Sequence, residues 1–327
     1  GGEWGWVGGG RGGGGLRREL RCLVAATGTE GARGIGDDGA VMEIPSGMQS
    51  VWSTDMLLEG VHFEQSWQTP WQLGRKCLAV NLSDIASMAA IPRYALLSLA
   101  CPADTPLEFI IEFCHGFASL AAECGVSVIG GDTTGSVGGI IVSASAGGLV
   151  VKDKAILRSG AEVGDAIMVT GHLGDAAAGL RLLQMQKAGS YAEYSQLINA
   201  FLEPLPRMVA ARAIGGAGAT AMTDISDGLA SDLRHVCEGS GTGALVAPRS
   251  RRVWPRASRA LPRPIRPSTT RPIFRVSRKS ARLRLRCSKS QRCRLKMRRF
   301  SVRYFRVAIV RSRYLLRFAN CGAIRRR

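Results

Sequence analysis

From residue 249 to its last position, the chain contains no aspartate and no glutamate. Those 79 residues carry 28 Lys and Arg, whereas the first 248 carry 16 basic and 25 acidic residues. The formal charge of +19 therefore averages two different materials, a mildly acidic body and a wholly basic tail. A segment with one sign of charge builds no internal ion pairs and repels itself. Glycine stops at the same place: 40 of the 41 glycines precede residue 249, and only Gly322 comes after it. Any fold assignment must be made separately on the two sides of this break.

Three readings of the tail compete. A basic stretch can track nucleic-acid phosphates. It can lie on a membrane surface, although this one has no amphipathic order. It can also be the out-of-frame translation of a GC-rich gene, which gives Arg, Pro, Ala and Ser with few acids. The sharpness of the change favours the third reading. At the other end, ten of the first fifteen residues are Gly. Such a tract has high backbone entropy and buries little, so residues 1–33 read as a disordered lead. No run of 18 apolar residues suggests a membrane span, and no charged region followed by an apolar stretch suggests a signal peptide. Nine cysteines lie without CxxC pairing, which points to free thiols and a cytoplasmic protein.

Between the two ends, elements of both types alternate. Val41–Ile44 and Ser50–Thr54 read as strands around the turn Pro45-Ser46-Gly47. Thr69-Pro70 opens a helix carrying Leu73, Cys77, Val80 and Leu82 to the core. Thr105-Pro106-Leu107-Glu108 reads as a capping box for a helix ending at Gly125. Tyr94–Ala100, Val126–Ile129 and Gly139–Val151 read as strands. A second unit starts near Lys152, with a strand at Ala166–Thr170, helices at Asp175–Lys187 and Tyr191–Phe201, a strand at Ala221–Thr223 and a helix from Leu229. The expectation is an α/β (α+β layers) protein of two domains, 34–150 and 151–246, the second incomplete, with the basic tail 247–327 after them.

The chemistry lies in the aspartates. Asp37-Asp38, Asp55, Asp84, Asp132, Asp224 and Asp227 each sit in a short context of small and polar residues, read as the end of an element. Asn81 and Asp84 are three apart on one helix and share a face. Carboxylates that converge repel unless cations separate them. Oxygen ligands without His or Cys suit magnesium, whose remaining ligands in such sites are phosphate oxygens. Gly34-x-Gly36-x-x-Gly39 matches a dinucleotide fingerprint literally. It is rejected, because a strand comes after it and two Asp occupy the loop. No Ser-His-Asp or Cys-His arrangement is legible.

Taken together, these motifs resemble the thiamine-monophosphate kinase family, within the superfamily of aminoimidazole ribonucleotide synthetase-like proteins. The matching pieces are GIGDDGAV (34–41), STDMLLEGVHF (53–63), KCLAVNLSDIASMAA (76–90), IGGDTT (129–134), LRSGAEVGD (157–165), VTGHLGDAAAGL (169–180) and DISDGLASDL (224–233). The resemblance covers about residues 34–246. It implies phosphorylation of thiamine phosphate to thiamine diphosphate with ATP and Mg2+, on a homodimer formed through the N-terminal domain. By resemblance, Asp38, Ser53, Thr54, Asp55, Asp84, Asp132, Asp224 and Asp227 are magnesium ligands. Gly131, Arg158 and Ser226 resemble ATP-contacting positions, and His62 a substrate-contacting one. No residue is assigned as a general base, since the acceptor phosphate oxygen is already ionised near neutral pH.

The family's Gly-Gly-Glu-Asp-Tyr-Glu motif and its aromatic near the C-terminus are missing, both from the region of the basic tail. Their absence predicts little activity. Two rivals remain: another ATP-using enzyme of the superfamily, such as a selenophosphate or aminoimidazole ribonucleotide synthetase, and a non-catalytic chain binding nucleic acid through 249–327.

Overall fold

The computed structural model describes residues 32–33, 38–185, 191–246, 271–277, 284–285 and 305–310. The expectations placed on the glycine-rich lead, Asp37 and Lys187 lie outside these residues. The chain divides into two compact units. The first takes residues up to Ala155 together with Gly174–Arg212; the second takes Ile156–Leu173 and the described residues from Ala213 onward.

In the first unit, β1 (Ala32–Arg33) and β2 (Val41–Met42) form a small antiparallel pair. The turn after it has Gly47 at φ +77°, a value that favours glycine. Four long strands come next: β3 (Met48–Leu58), β4 (Ile91–Cys101), β5 (Ser127–Gly135) and β6 (Ile141–Val151). They form one sheet in the order β3-β6-β4-β5, with β4 and β5 parallel and the other neighbours antiparallel. β5 runs on through Gly130-Gly131-Asp132, and β3 runs on past Asp55. Asp55 and Asp132 therefore lie within strands, not at their ends as the sequence suggested. Ladder pairing on a long neighbour carries each strand beyond its apolar residues.

Helix α1 (Pro70–Ser87) begins with a capping box in which Thr69 and Gln72 bond each other's backbone, with Pro at the first position. Leu73, Cys77, Val80 and Leu82 are buried as expected. Helix α2 (Leu107–Cys124) ends at Gly125 in the left-handed region. The capping box expected at its start is absent: Pro106 is the N-cap, without a side-chain cap. The Thr105 side chain is instead hydrogen-bonded to Cys101. The two helices touch through glycine. A Cβ at Gly74 would lie 2.0 Å from the Phe113 carbonyl oxygen, and one at Gly116 would lie 1.9 Å from that of Trp71. Arg75 straps the same contact, donating to the Glu123 carboxylate at 2.6 and 2.8 Å while its guanidinium lies 4.8 Å from the Trp71 ring. The core beneath is built from Leu78, Leu82, Phe113, Phe117, Val142 and Ala144, among others.

Helices α3 (Asp175–Gln184) and α4 (Ser195–Leu202) belong to the same unit. They pack where Gly179 meets the Leu197 backbone, around Leu180, Ile198 and Phe201. Lys76 of α1 points into this layer. It is 3% exposed, its Nζ has no hydrogen-bond partner among the described residues, and it stands 3.7 Å from the centre of the Phe201 ring. Burial lowers its pKa to about 7.

In the second unit, β7 (Ala166–Thr170), β8 (Ala219–Ile225) and β9 (Gly243–Val246) join three strands drawn from the basic segment: β10 (Arg271–Ser277), β11 (Arg284–Leu285) and β12 (Phe305–Val310). The order is β11-β9-β10-β7-β12-β8. The sequence reading places no element beyond residue 246; among the described residues the structure has three strands there, and β12 lies between β7 and β8. Helix α6 (Leu229–Gly239) packs Leu233, Val236 and Cys237 against Ile167, Val169, Ala221 and Ile225. A further helix, α5 (Met208–Gly216), precedes β8 and was not read from the sequence. Among the described residues, no helix is long and apolar enough to cross a membrane.

Candidate active site

Side-chain alternation along β3 sorts its motif residues. Ser53 and Asp55 are two apart and share a face. Ser53 Oγ donates to Asp84 Oδ2 at 2.5 Å, so this is the face that meets α1. Asp55 acts electrostatically on Cys77, about one turn from Asn81 and two turns from Asp84 on the same helix face. The strand face Ser53/Asp55 and the helix face Cys77/Asn81/Asp84 thus oppose each other. Asn81 is fully buried; its Nδ2 donates to the Cys77 carbonyl at 3.2 Å, and its Oδ1 has no hydrogen-bond partner among the described residues. Thr54 falls on the other face. Its hydroxyl donates to the Ala144 carbonyl at 3.2 Å and accepts from Ser145 Oγ at 3.0 Å.

His62 sits beyond the end of β3. Its Nδ1 accepts from the Leu58 amide at 3.0 Å. In the neutral ring that places the proton on Nε2, which becomes a hydrogen-bond donor. Glu59 closes the same loop, accepting from the Ile140 amide at 2.8 Å and from Gln65 Nε2 at 2.7 Å.

Asp132 is exposed and accepts from the Thr133 amide at 2.9 Å. It belongs to β5, at the opposite edge of the sheet from β3. Three strand spacings, about 14 Å, separate the two edges. Gly131 is required by packing: a Cβ there would lie 1.8 Å from the Leu97 carbonyl oxygen of β4. Asp38 is exposed in a bend before β2. Among the described residues, no three His, Cys, Asp or Glu side chains stand close enough together to hold one metal ion. The structure brings Ser53 and Asp84 into contact, with Asp55 on the same face, and it sets Thr54, Asp132 and Asp38 apart. The donor set on the β3–α1 face is nevertheless all oxygen, which fits magnesium.

In the second unit, Asp224 is 3% exposed near the end of β8. Its register partner on β12 is Arg306. Asp227 is exposed in the loop before α6, and Ser226 is half-buried there. The loop is held by a residue to which the sequence reading gave no role. Asp232, 5% exposed, accepts at Oδ2 from the amides of Ser226, Asp227 and Gly228 at 2.8, 3.1 and 3.1 Å. Burial pushes its carboxyl up from the ordinary value, and the three amides pull against that. The signal was visible as an acidic residue in the first turn of a helix. Arg158 is exposed, and its carbonyl accepts from Ser240 Oγ at 3.1 Å.

Two family models match in order: AIR synthase related protein, N-terminal domain, over residues 36–150, and its C-terminal domain over residues 162–265. A thiamine-monophosphate kinase from Bacillus subtilis is 37% identical over 63% of this chain and 64% of its own length. The crystal structure of thiamine-monophosphate kinase from Stenotrophomonas maltophilia is 37% identical, with a TM-score of 0.64, over 70% of this chain and 73% of that one. An enzyme called AaThiL, complexed with AMPPCP and TMP, is 33% identical with a TM-score of 0.59, over 62% of this chain and 64% of that one. The chain thus spans 61% to 65% of the length of the curated relatives it matches.

Proposed function

The chain belongs to the thiamine-monophosphate kinase family, and from that premise we propose that its site is built to transfer the γ-phosphoryl group of ATP to thiamine phosphate, giving thiamine diphosphate. The observation that carries the reading is the contact of Ser53 with Asp84, with Asp55 on the same strand face. It supports a site made of hard oxygen donors, which repels a polyphosphate unless cations accompany it. The relative that binds AMPPCP and TMP together supports the pair of substrates.

In this reading Asp55 and Asp84, with Ser53, hold magnesium on the β3–α1 face, and Asp38, Asp132, Asp224 and Asp227 are further ligands in their own units. Magnesium held there would neutralise charge on the transferring phosphoryl oxygens. Ser53 orients the Asp84 carboxylate by donating to one of its oxygens. His62 offers its Nε2 proton to thiamine phosphate, and the Leu58 amide fixes that tautomer. Gly131, Arg158 and Ser226 are the nucleotide-contacting positions. No proton need be removed from the acceptor, so orientation and charge stabilisation carry the rate.

The homodimer belongs to the same proposal. Trp52 and Met56, on the sheet face away from α1, are 43% and 54% exposed, and among the described residues β3 and β5 are the edge strands of the first unit's four-stranded sheet. A cytoplasmic location is supported by the five described cysteines, all free.

The test is conversion of thiamine phosphate by the purified chain with ATP and magnesium. Turnover should fall about a hundredfold or more in Asp84→Asn. A folded chain that makes no thiamine diphosphate, and binds neither nucleotide nor thiamine phosphate, overturns the reading.

A further inference from the structure

Three consecutive amides, those of Ser226, Asp227 and Gly228, converge at the start of α6. Consecutive N–H groups at a helix N-terminus form a ready-made anion cradle. Here one oxygen of a buried side chain on the same helix already fills it. Because Oδ2 of Asp232 takes all three donors and Asp232 is 5% exposed, a phosphate oxygen would have to displace a carboxylate from within the fold. We propose that Asp232 is a positioning residue that plugs this cradle. The loop then has no free backbone amide to offer a phosphate ligand at residues 226–228, and would meet one through the side chains of Ser226 and Asp227. The inference rests on the kinase reading for the identity of the ligand, but not for the plug itself.

The geometry gives the plug a second effect. Gly228, with φ of +115°, and the two residues before it are tied to one atom of α6. The loop between β8 and α6 is therefore held by the helix on its C-terminal side. Asp227 stays exposed while its own amide is engaged. The carboxylate of Asp227 is thereby separated in role from that of Asp232: one faces solvent, and the other is consumed in holding the backbone.

The experiment compares the full chain with Asp232→Ala and Asp232→Asn by hydrogen–deuterium exchange, with and without inorganic phosphate. In the unchanged chain the amides of residues 226–228 exchange slowly, and phosphate leaves them as they are. In Asp232→Ala they exchange at least about tenfold faster, as loss of a charged acceptor requires, and phosphate restores protection by entering the vacated cradle. Asp232→Asn keeps an acceptor oxygen and retains part of the protection. Equal acceleration throughout β8 and α6 would reduce Asp232 to a general stabiliser and overturn the proposal. So would unchanged exchange at 226–228, or phosphate protection of these amides in the unchanged chain. Absence of thiamine diphosphate formation bears on the kinase reading alone and leaves these exchange results to decide the plug.

Discussion

Replacing Lys76 with methionine should make the first unit more stable at neutral pH. The ammonium is buried without a hydrogen-bond partner, and its pKa falls from 10.5 to about 7. Each pH unit of that difference corresponds to about 1.4 kcal/mol, so the buried charge costs about 5 kcal/mol at low pH. The Phe201 ring, 3.7 Å away, works the other way by about 2 kcal/mol. About 3 kcal/mol remains for Lys76→Met to recover, because methionine has nearly the same length and fills the same gap. The pH dependence has a definite sign. Between about 7 and 10.5 the unfolded chain binds the proton and the folded chain does not, so stability of the unchanged protein rises with pH across this window. The advantage of Lys76→Met is complete below it and fades as pH rises through it. Urea unfolding of both proteins from about pH 6 to about pH 10 measures the difference directly. A variant less stable at every pH, or a difference that does not change with pH, would refute the argument. Either result would mean that the lysine is held by something stronger than one ring.

The helix contact gives a second expectation: Gly116→Val should cost more than about 3 kcal/mol in thermal unfolding, since its Cβ would lie 1.9 Å from a backbone oxygen. The Arg75 pair gives a smaller one. The hydrogen bond from Arg75 lowers the pKa of Glu123, so the pair supports stability above the ordinary carboxylate range and loses it as pH falls through the lowered value. Glu123→Gln should therefore flatten the acid limb of an unfolding profile, by less than about 1 kcal/mol because Glu123 is half-exposed. Deleting residues 271–327 should strip the ladder partners from β7 and β8 and expose their edges, loosening the apolar core they share with α6. Binding of a hydrophobic dye would rise in the deletion, and an unchanged signal would show that β12 is dispensable.

Helix α1 was the most legible element, because Thr69-Pro70 and the apolar residues after it act locally. The same local reasoning failed at Thr105, whose side chain is hydrogen-bonded to Cys101, a contact that sequence spacing does not encode. Four strands, β3, β4, β5 and β8, were located but read short, since their ends are set by neighbours in the sheet; β7 was read at its full length, and β2 and β6 were each read two residues too long at one end. The alternation that divides Ser53 and Asp55 from Thr54 was available in the sequence once β3 was known to be continuous. The separation of Asp132 from Asp55 was not, because it depends on the strand order β3-β6-β4-β5. Asp232 stood in plain view within Asp-Gly-Leu-Ala-Ser-Asp. Its role depends on the direction in which three amides point, which only the folded loop defines.

The glycine contact between α1 and α2 also works as a mechanical stop. Shifting α1 by one turn along its axis would bring Trp71 or Leu78 to the place where only Gly74 clears the Phe113 carbonyl. Shifting α2 by one turn would bring Phe113 or Leu120 against Trp71 in the same way. The two helices are therefore indexed to each other like the teeth of a closed ratchet. Asp84 lies about three turns along α1 from that tooth, on a helix that cannot slip past α2. A change in the Ser53–Asp84 contact therefore requires movement of the strand, or of α1 and α2 together over the sheet.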